Sequence, residues 1–273
     1  AYDYIRLGHP LSCVMEWATA QINQVSANQV ISFSSSTIGI QAILRTNKIR
    51  GIQTRILYAG KLPSGFDAER LRKIYDYDFD LQVITEGASI TSFHGSTLFI
   101  QEDAHICKFN FDSSIDFHIN YKDGLGCILV SPNAKNDGYI SEIQHVRRRE
   151  TIAMTPINCL AVLKQLAGQT ASIETNVAHT NSAQIVNETI QSITDTTAKP
   201  LVASSGLSIQ YAIMMGLVED AHTNHPGKAI RFIVPTNCYG GTNDQARRVA
   251  AAIGQVEVLD LHVDAGSDMV QSI

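Results

Sequence analysis

The run FIVPTNCYGGTNDQARRVAAAIGQVEVLDL, residues 232–261, decides the fold class of this chain. A β-type run (Ile230, Phe232, Val234) breaks at Pro235 and turns through Cys238-Tyr239-Gly240-Gly241. It continues as an amphipathic helix and closes on a second strand over 256–261. Strand, glycine turn, helix and strand in that order make half of a parallel α/β layer. Upstream, Ser204-Ser205-Gly206-Leu207-Ser208 holds the same kind of place, after a strand expected over 201–203 and before a helix expected over 207–220. Ligands of parallel sheets sit at the carboxyl ends of the strands. Free N–H groups at a helix start, preceded by glycine and small hydroxyls, attract phosphate.

Together, SSGLSIQYAI (204–213) and NCYGGT (237–242) resemble the cofactor-binding half of the pyridoxal-phosphate enzymes of cysteine and methionine metabolism. These are the cystathionine γ-synthase, β-lyase and γ-lyase group, of fold type I. The resemblance covers residues 181–270. It implies pyridoxal 5'-phosphate as cofactor, its phosphate on backbone donors of Ser205, Gly206 and Leu207, and its ring stacked on Tyr239, the catalytic candidate. The implied activity is that of a lyase or transferase on a small amino-acid substrate, by β- or γ-elimination or replacement. The opening segment Tyr4-Ile5-Arg6-Leu7-Gly8-His9-Pro10 is similar to the family's Tyr-x-Arg-x-x-Asn-Pro, with His9 in place of the asparagine. In the family that tyrosine and arginine reach the phosphate of a neighbouring subunit, which implies cofactor contacts from Tyr4 and Arg6 and a homo-oligomer. Family members carry the Schiff-base lysine, and an aspartate for the ring nitrogen, well downstream of the YGGT turn. The chain is therefore expected to lack that lysine, to be a fragment of a longer protein, and to be inactive alone.

Composition narrows the class. The chain has 273 residues, 44% of them apolar and 17% charged, enough for one large or two modest cores. A net charge of −5 argues against a nucleic-acid surface, and the basic run Arg147-Arg148-Arg149, followed by Glu150, reads as a solvated helix face. No apolar stretch approaches a membrane span and no signal peptide is visible. Five scattered cysteines without CxxC spacing point to a reduced, cytoplasmic protein. The nine histidines form no HxxxH or HExxH pattern, and no metal is expected.

Along the chain, an entry turn and helix are expected over 4–23, with Pro10 at a first helical position, followed by strands over 29–34, 54–58 and 79–84 and helices over 37–47 and 66–75. From Thr91 to Ser131 short β runs (97–101, 105–109, 115–119, 127–130) joined by turns such as Asp123-Gly124 predict an antiparallel meander. The fold class is thus α/β, a mainly parallel sheet flanked by helices, with that meander around 91–131. A boundary at 168–175 separates an N-terminal region, 1–168, from the start of a cofactor-binding domain, 169–273.

Ser35-Ser36-Thr37-Ile38-Gly39-Ile40-Gln41 parallels Ser204-Ser205-Gly206-Leu207-Ser208-Ile209-Gln210, and RILYAGKLPSGFDAERLRK from Arg55 parallels RFIVPTNCYGGTNDQARRV from Arg231. The N-terminal region therefore reads as a degenerate copy of the same unit, about 170 residues earlier. Two other functions compete. A non-catalytic regulatory or interaction domain fused to an enzyme fits the N-terminal region. A phospholipase D-like hydrolase or nuclease is suggested by the texture of 42–58, yet the His-x-Lys pair of such enzymes is absent from the sequence.

Overall fold

A computed structural model describes residues 8–85, 89–169, 182–264, 266, 268 and 269. Helix α1 (Pro10–Asn23) starts where Pro10 can fill the first turn without a missing donor. His9 caps it: Nδ1 accepts from Ser12 N–H at 3.2 Å, and Nε2 is 2.7 Å from Met154 O. Then follow β1 (Val30–Phe33), α2 (Ile38–Arg50), β2 (Thr54–Ala59), α3 (Ala68–Tyr75) with Asp67 as its cap, and β3 (Phe79–Val83). Strands β4 (Ser96–Glu102), β5 (Phe117–Lys122) and β6 (Gly126–Val130) precede α4 (Asp137–Glu150) and α5 (Pro156–Leu166). The remainder is α6 (Ser182–Thr194), α7 (Gly206–Asn224), β7 (Ile230–Pro235), α8 (Gly240–Ala252) and β8 (Val256–Leu261).

Six strands form one sheet in the order β1-β6-β5-β4-β2-β3, and β7 and β8 form a second, parallel pair. β3, β2, β4 and β5 run parallel to one another, while β6 pairs antiparallel with both β5 and β1. This is the α/β class with a mainly parallel sheet. The meander is corrected: β4 joins β2 and β5 in parallel, and only the β5–β6 hairpin reverses direction within 91–131. The run 105–109 is a turn and not a strand, because Asp103 Oδ1 takes His105 N–H at 2.7 Å and Lys108 N–H closes on His105 O at 2.9 Å. At the hairpin, Gly126 has φ 113°, and a Cβ there would collide with Phe33 O, so only glycine lets β6 slide between β5 and β1.

Each face of the large sheet carries its own core. Ile40, Ile43 and Leu44 of α2, Leu71 of α3 and Ile143 and Val146 of α4 pack on Phe33, Ile56, Leu98, Ile100, Phe117 and Ile119. Each of these side chains contributes roughly 1.5–3 kcal/mol by burial. On the other face Met15 and Ala20 of α1 and Cys159 and Val162 of α5 cover Val30, Ile128 and Val130. A third core, with Tyr211, Met214 and Val218 of α7 and Ala246 and Val249 of α8, packs on Val234 and Val256 and also takes in Ile74 of α3.

Two further expectations change. The strand over 201–203 does not form; Leu201 and Val202 are 71% and 51% exposed, and among the described residues no strand pairs with them. Nor is the basic run of α4 a solvated face. Arg147 is buried and donates to Glu16 Oε1 at 2.6 Å, and Arg149 Nε donates to Asp244 Oδ2 at 2.7 Å. α4 thus joins the large sheet to the α7–α8 unit. The junction is polar as well as apolar: Arg45 of α2 pairs with Glu150 of α4 and donates to the Tyr211 hydroxyl of α7 at 2.7 Å. Burial alone would lower the Arg45 pKa, but Glu150 reverses this and holds it well above its ordinary value.

Candidate functional site

Ser205 is the N-cap of α7 in extended conformation, φ −159° and ψ 164°. It forms a closed box with Ser208: Ser205 Oγ accepts from Ser208 N–H at 3.1 Å, and Ser205 N–H donates to Ser208 Oγ at 2.8 Å. Ser205 therefore stabilises the helix start, and its own N–H is engaged there rather than open to a ligand. Gly206 and Leu207, the first two residues of α7, have N–H groups with no acceptor among the described residues. These orphan donors sit at the positive end of a 19-residue helix dipole.

The start of α8 lies beside them. Thr242 Oγ1 donates to Gln210 Oε1 at 2.9 Å, and buried Gln245 donates to Leu207 O at 2.9 Å and Arg149 O at 3.0 Å. Tyr239 is the N-cap of α8 and is 60% exposed, its ring laid along Gly241. A Cβ on Gly241 would come within 2.6 Å of Tyr239 Cε1 and 3.0 Å of Leu207 Cδ1, so this glycine sets the ring's position. Gly206, Leu207, Gln210, Tyr239 and Thr242 line one open hollow of about 450 Å³. It stands at the carboxyl end of β7, where a parallel α/β unit binds ligands.

The structure thus brings Gly206, Leu207 and Tyr239 to one place, with Ser205 just behind as a cap. Tyr4 and Arg6 lie outside the described residues. Cys238 is half-buried beside this turn, with its Sγ 3.6 Å from Tyr239 O. Among the described residues no lysine, histidine or carboxylate lines the hollow, and no cluster of three or more His, Cys, Asp or Glu could hold a metal. No helix among them is long and apolar enough to cross a membrane.

Sequence reading overlooked the support and the second carboxyl edge. Asp244 in α8 accepts from His145 at 2.8 Å as well as from Arg149. Burial would raise its pKa, but these two donors hold it below the usual carboxylate value, while burial lowers that of His145. At pH 7 the His145 contact is therefore a hydrogen bond from a neutral ring, and Arg149–Asp244 is the ion pair. The large sheet has its own serine turn before α2, where Ser35 Oγ accepts from Thr37 and Ile38 N–H, both at 3.2 Å. At the same carboxyl edge of the sheet are Lys61, which follows β2 and pairs with Glu102 at 3.3 Å, and Lys122, which ends β5. A lysine closing a β run just before Asp123-Gly124 was the available signal for Lys122.

No family model and no curated protein matches the chain. Among solved structures it is similar to L-threonine-O-3-phosphate decarboxylase from Porphyromonas gingivalis: 9% identity, TM-score 0.37, 66% of each chain covered. It is similar also to cystathionine gamma synthase from Xanthomonas oryzae pv. oryzae, at 13% identity and TM-score 0.38, with 72% of this chain and 58% of that one covered. The chain thus spans less than two thirds of the length of either.

Proposed function

We propose that the hollow between α7 and α8 holds the phosphate and ring of pyridoxal 5'-phosphate, in a lyase or transferase of sulfur amino-acid metabolism. The observation that carries this is the convergence of two orphan N–H groups, of Gly206 and Leu207, with the presented ring of Tyr239 on one cavity. The donor set fits a phosphate: backbone N–H at a helix start, and open space where a Cβ of Gly206 would stand. It also fits a planar ring, which Tyr239 would hold by stacking. When bound, the cofactor supplies an electron sink for bond breaking at the substrate Cα. The protein's part is to anchor the phosphate through Gly206 and Leu207, orient the ring through Tyr239, and move a proton at the Tyr239 hydroxyl. In this reading residues 169–273 begin the cofactor-binding domain, residues 1–168 are a degenerate copy, and Tyr4 and Arg6 act across a subunit boundary.

A second reading is favoured by the lining itself. A site whose described lining holds no lysine, histidine or acid can bind the cofactor without turning over a substrate, as a regulatory domain would.

Equilibrium dialysis of pyridoxal phosphate against the chain tests the proposal. Stacking of an aromatic ring contributes on the order of 1 kcal/mol, so Tyr239→Ala weakens retention about fivefold and Tyr239→Phe hardly at all. Gly206→Val does worse, because its side chain occupies the space proposed for phosphate; among the described residues nothing lies within 4 Å of that Cβ. Retention unchanged in both Tyr239→Ala and Gly206→Val returns these residues to a turn and a cap.

A further inference from the structure

Parallel neighbours in a sheet are ordinarily joined through a helix that covers one face. The crossover from β4 to β5, residues 103–116, runs as turns instead, and α1 and α5 cover the other end of that face, over β1 and β6. A hollow of about 280 Å³ is left above β4 and β5. Gln101 of β4 and His118 and Asn120 of β5 form its floor, at alternate strand positions; Asp103, Lys108 and Phe109 form its wall.

His118 is 1% exposed, and among the described residues its Nε2 has no hydrogen-bond partner. The rings of Phe99, Phe109 and Phe111 meet it edge-on, with centroids 6.0, 6.5 and 5.1 Å away. Burial pushes its pKa down to about 4 against the opposite pull of Asp112 and Asp116, so the ring is neutral near pH 7. A buried polar atom without a partner is destabilising, and the residue that carries this one borders the hollow. Around it the internal bonds are few. Asp103 accepts from Gln101 Nε2 at 2.9 Å and from His105 N–H at 2.7 Å, and Asn120 Nδ2 donates to Lys108 O at 2.6 Å. Among the described residues, Lys108 Nζ, Gln101 Oε1 and Asn120 Oδ1 have no partner.

We infer that this hollow binds a small monocarboxylic acid with a hydrogen-bond donor on its α-carbon, an α-amino or α-hydroxy acid, independently of the hollow at α7. Among the described residues Lys108 is the one lysine or arginine lining the hollow and suits one carboxylate, and Asp103 nearby disfavours a second. The amide oxygens of Gln101 and Asn120 accept from the α-substituent, His118 completes the polar floor, and Phe99 and Phe109 receive an aliphatic side chain.

The test follows the His118 ring by nitrogen-edited NMR of the full chain, titrated separately with leucine, 2-hydroxy-4-methylpentanoate and 4-methylpentanoate. Saturable shifts of His118 are expected with at least one of the first two, and at least fivefold weaker binding of the third, which lacks the donor. Leucine alone would assign the site to amino acids, the hydroxy acid alone to hydroxy acids. Exposed Lys108→Met should weaken the better ligand about tenfold. No saturable shift with either donor-bearing acid, equal binding of 4-methylpentanoate, or an affinity within twofold in Lys108→Met overturns the inference.

Discussion

Glu150→Ala would leave the Arg45 guanidinium as a buried cation with one neutral acceptor. The two side chains are 4% and 2% exposed, and the other acceptor is the Tyr211 hydroxyl at 2.7 Å, whose ring centre lies 5.5 Å from Arg45 Cζ. Breaking a buried pair from one side costs about 3–5 kcal/mol, because the remaining charge keeps its desolvation penalty. Tyr211→Phe removes a hydrogen bond to a charged group and costs about 1.5–3 kcal/mol. Replacing both charges, Arg45→Met with Glu150→Leu, removes the penalty with the attraction and should return stability to within about 1 kcal/mol of the original. Urea unfolding at pH 7 reads these values, since whole domains commonly have only about 5–15 kcal/mol in hand. Trp17 on α1 reports by fluorescence on the large-sheet side, and circular dichroism on all the helices. A loss below about 1 kcal/mol for Glu150→Ala, or a double variant as unstable as the two single ones summed, would refute the account of the junction.

Three other outcomes are expected. His118 has a folded pKa of about 4 against an ordinary 6.5, so the unfolded chain takes up the proton first. Stability should fall as pH drops through that window, by on the order of 3 kcal/mol, and an identical pH slope of urea midpoints in His118→Phe would show that another group is responsible. Gly241→Ala should push the Tyr239 ring aside and lower pyridoxal-phosphate retention severalfold at an unchanged melting temperature; undiminished retention would separate the ring's position from binding. Borohydride treatment with the cofactor present should leave the lysines unlabelled, because among the described residues none lines the α7 hollow. A single stoichiometric label mapped to Lys122 would move the site to the carboxyl edge of the large sheet.

The α/β grammar was legible because its signals are local. Alternating or continuous β-branched runs, Pro10, Asp67 and the Ser205 cap each act within one turn of chain. The direction of β4 was not, since nothing in STLFIQE says whether its partner arrives from Thr54–Ala59 or from a hairpin. The extended run 201–203 misled for the converse reason: strand propensity without a neighbour leaves Leu201 in solvent. Gly206 and Tyr239 could be placed near one another by motif, but the engagement of Ser205 N–H by Ser208 depends on a side-chain rotamer. The Arg147–Glu16 pair joins residues 131 positions apart, a distance at which charge pattern carries no address.

The lone reversed strand β6 has a consequence for the order in which the protein can fold. Among the described strands β1 comes earliest in the chain, yet its pairing is with β6, Val30 lying opposite Val130 a hundred positions later. Its four residues, all buried at the end, must wait unpaired while 34–125 are synthesised. Closing so long a loop costs about 2 kcal/mol more than closing one of ten residues, a term met only when β6 arrives. Chain collapse is thus expected to begin with β2, β3 and α3, whose contacts are local, and to finish with β6 entering between β5 and β1. Slow refolding and exposure of Val30–Phe33 to other chains in the interval are the price of that topology.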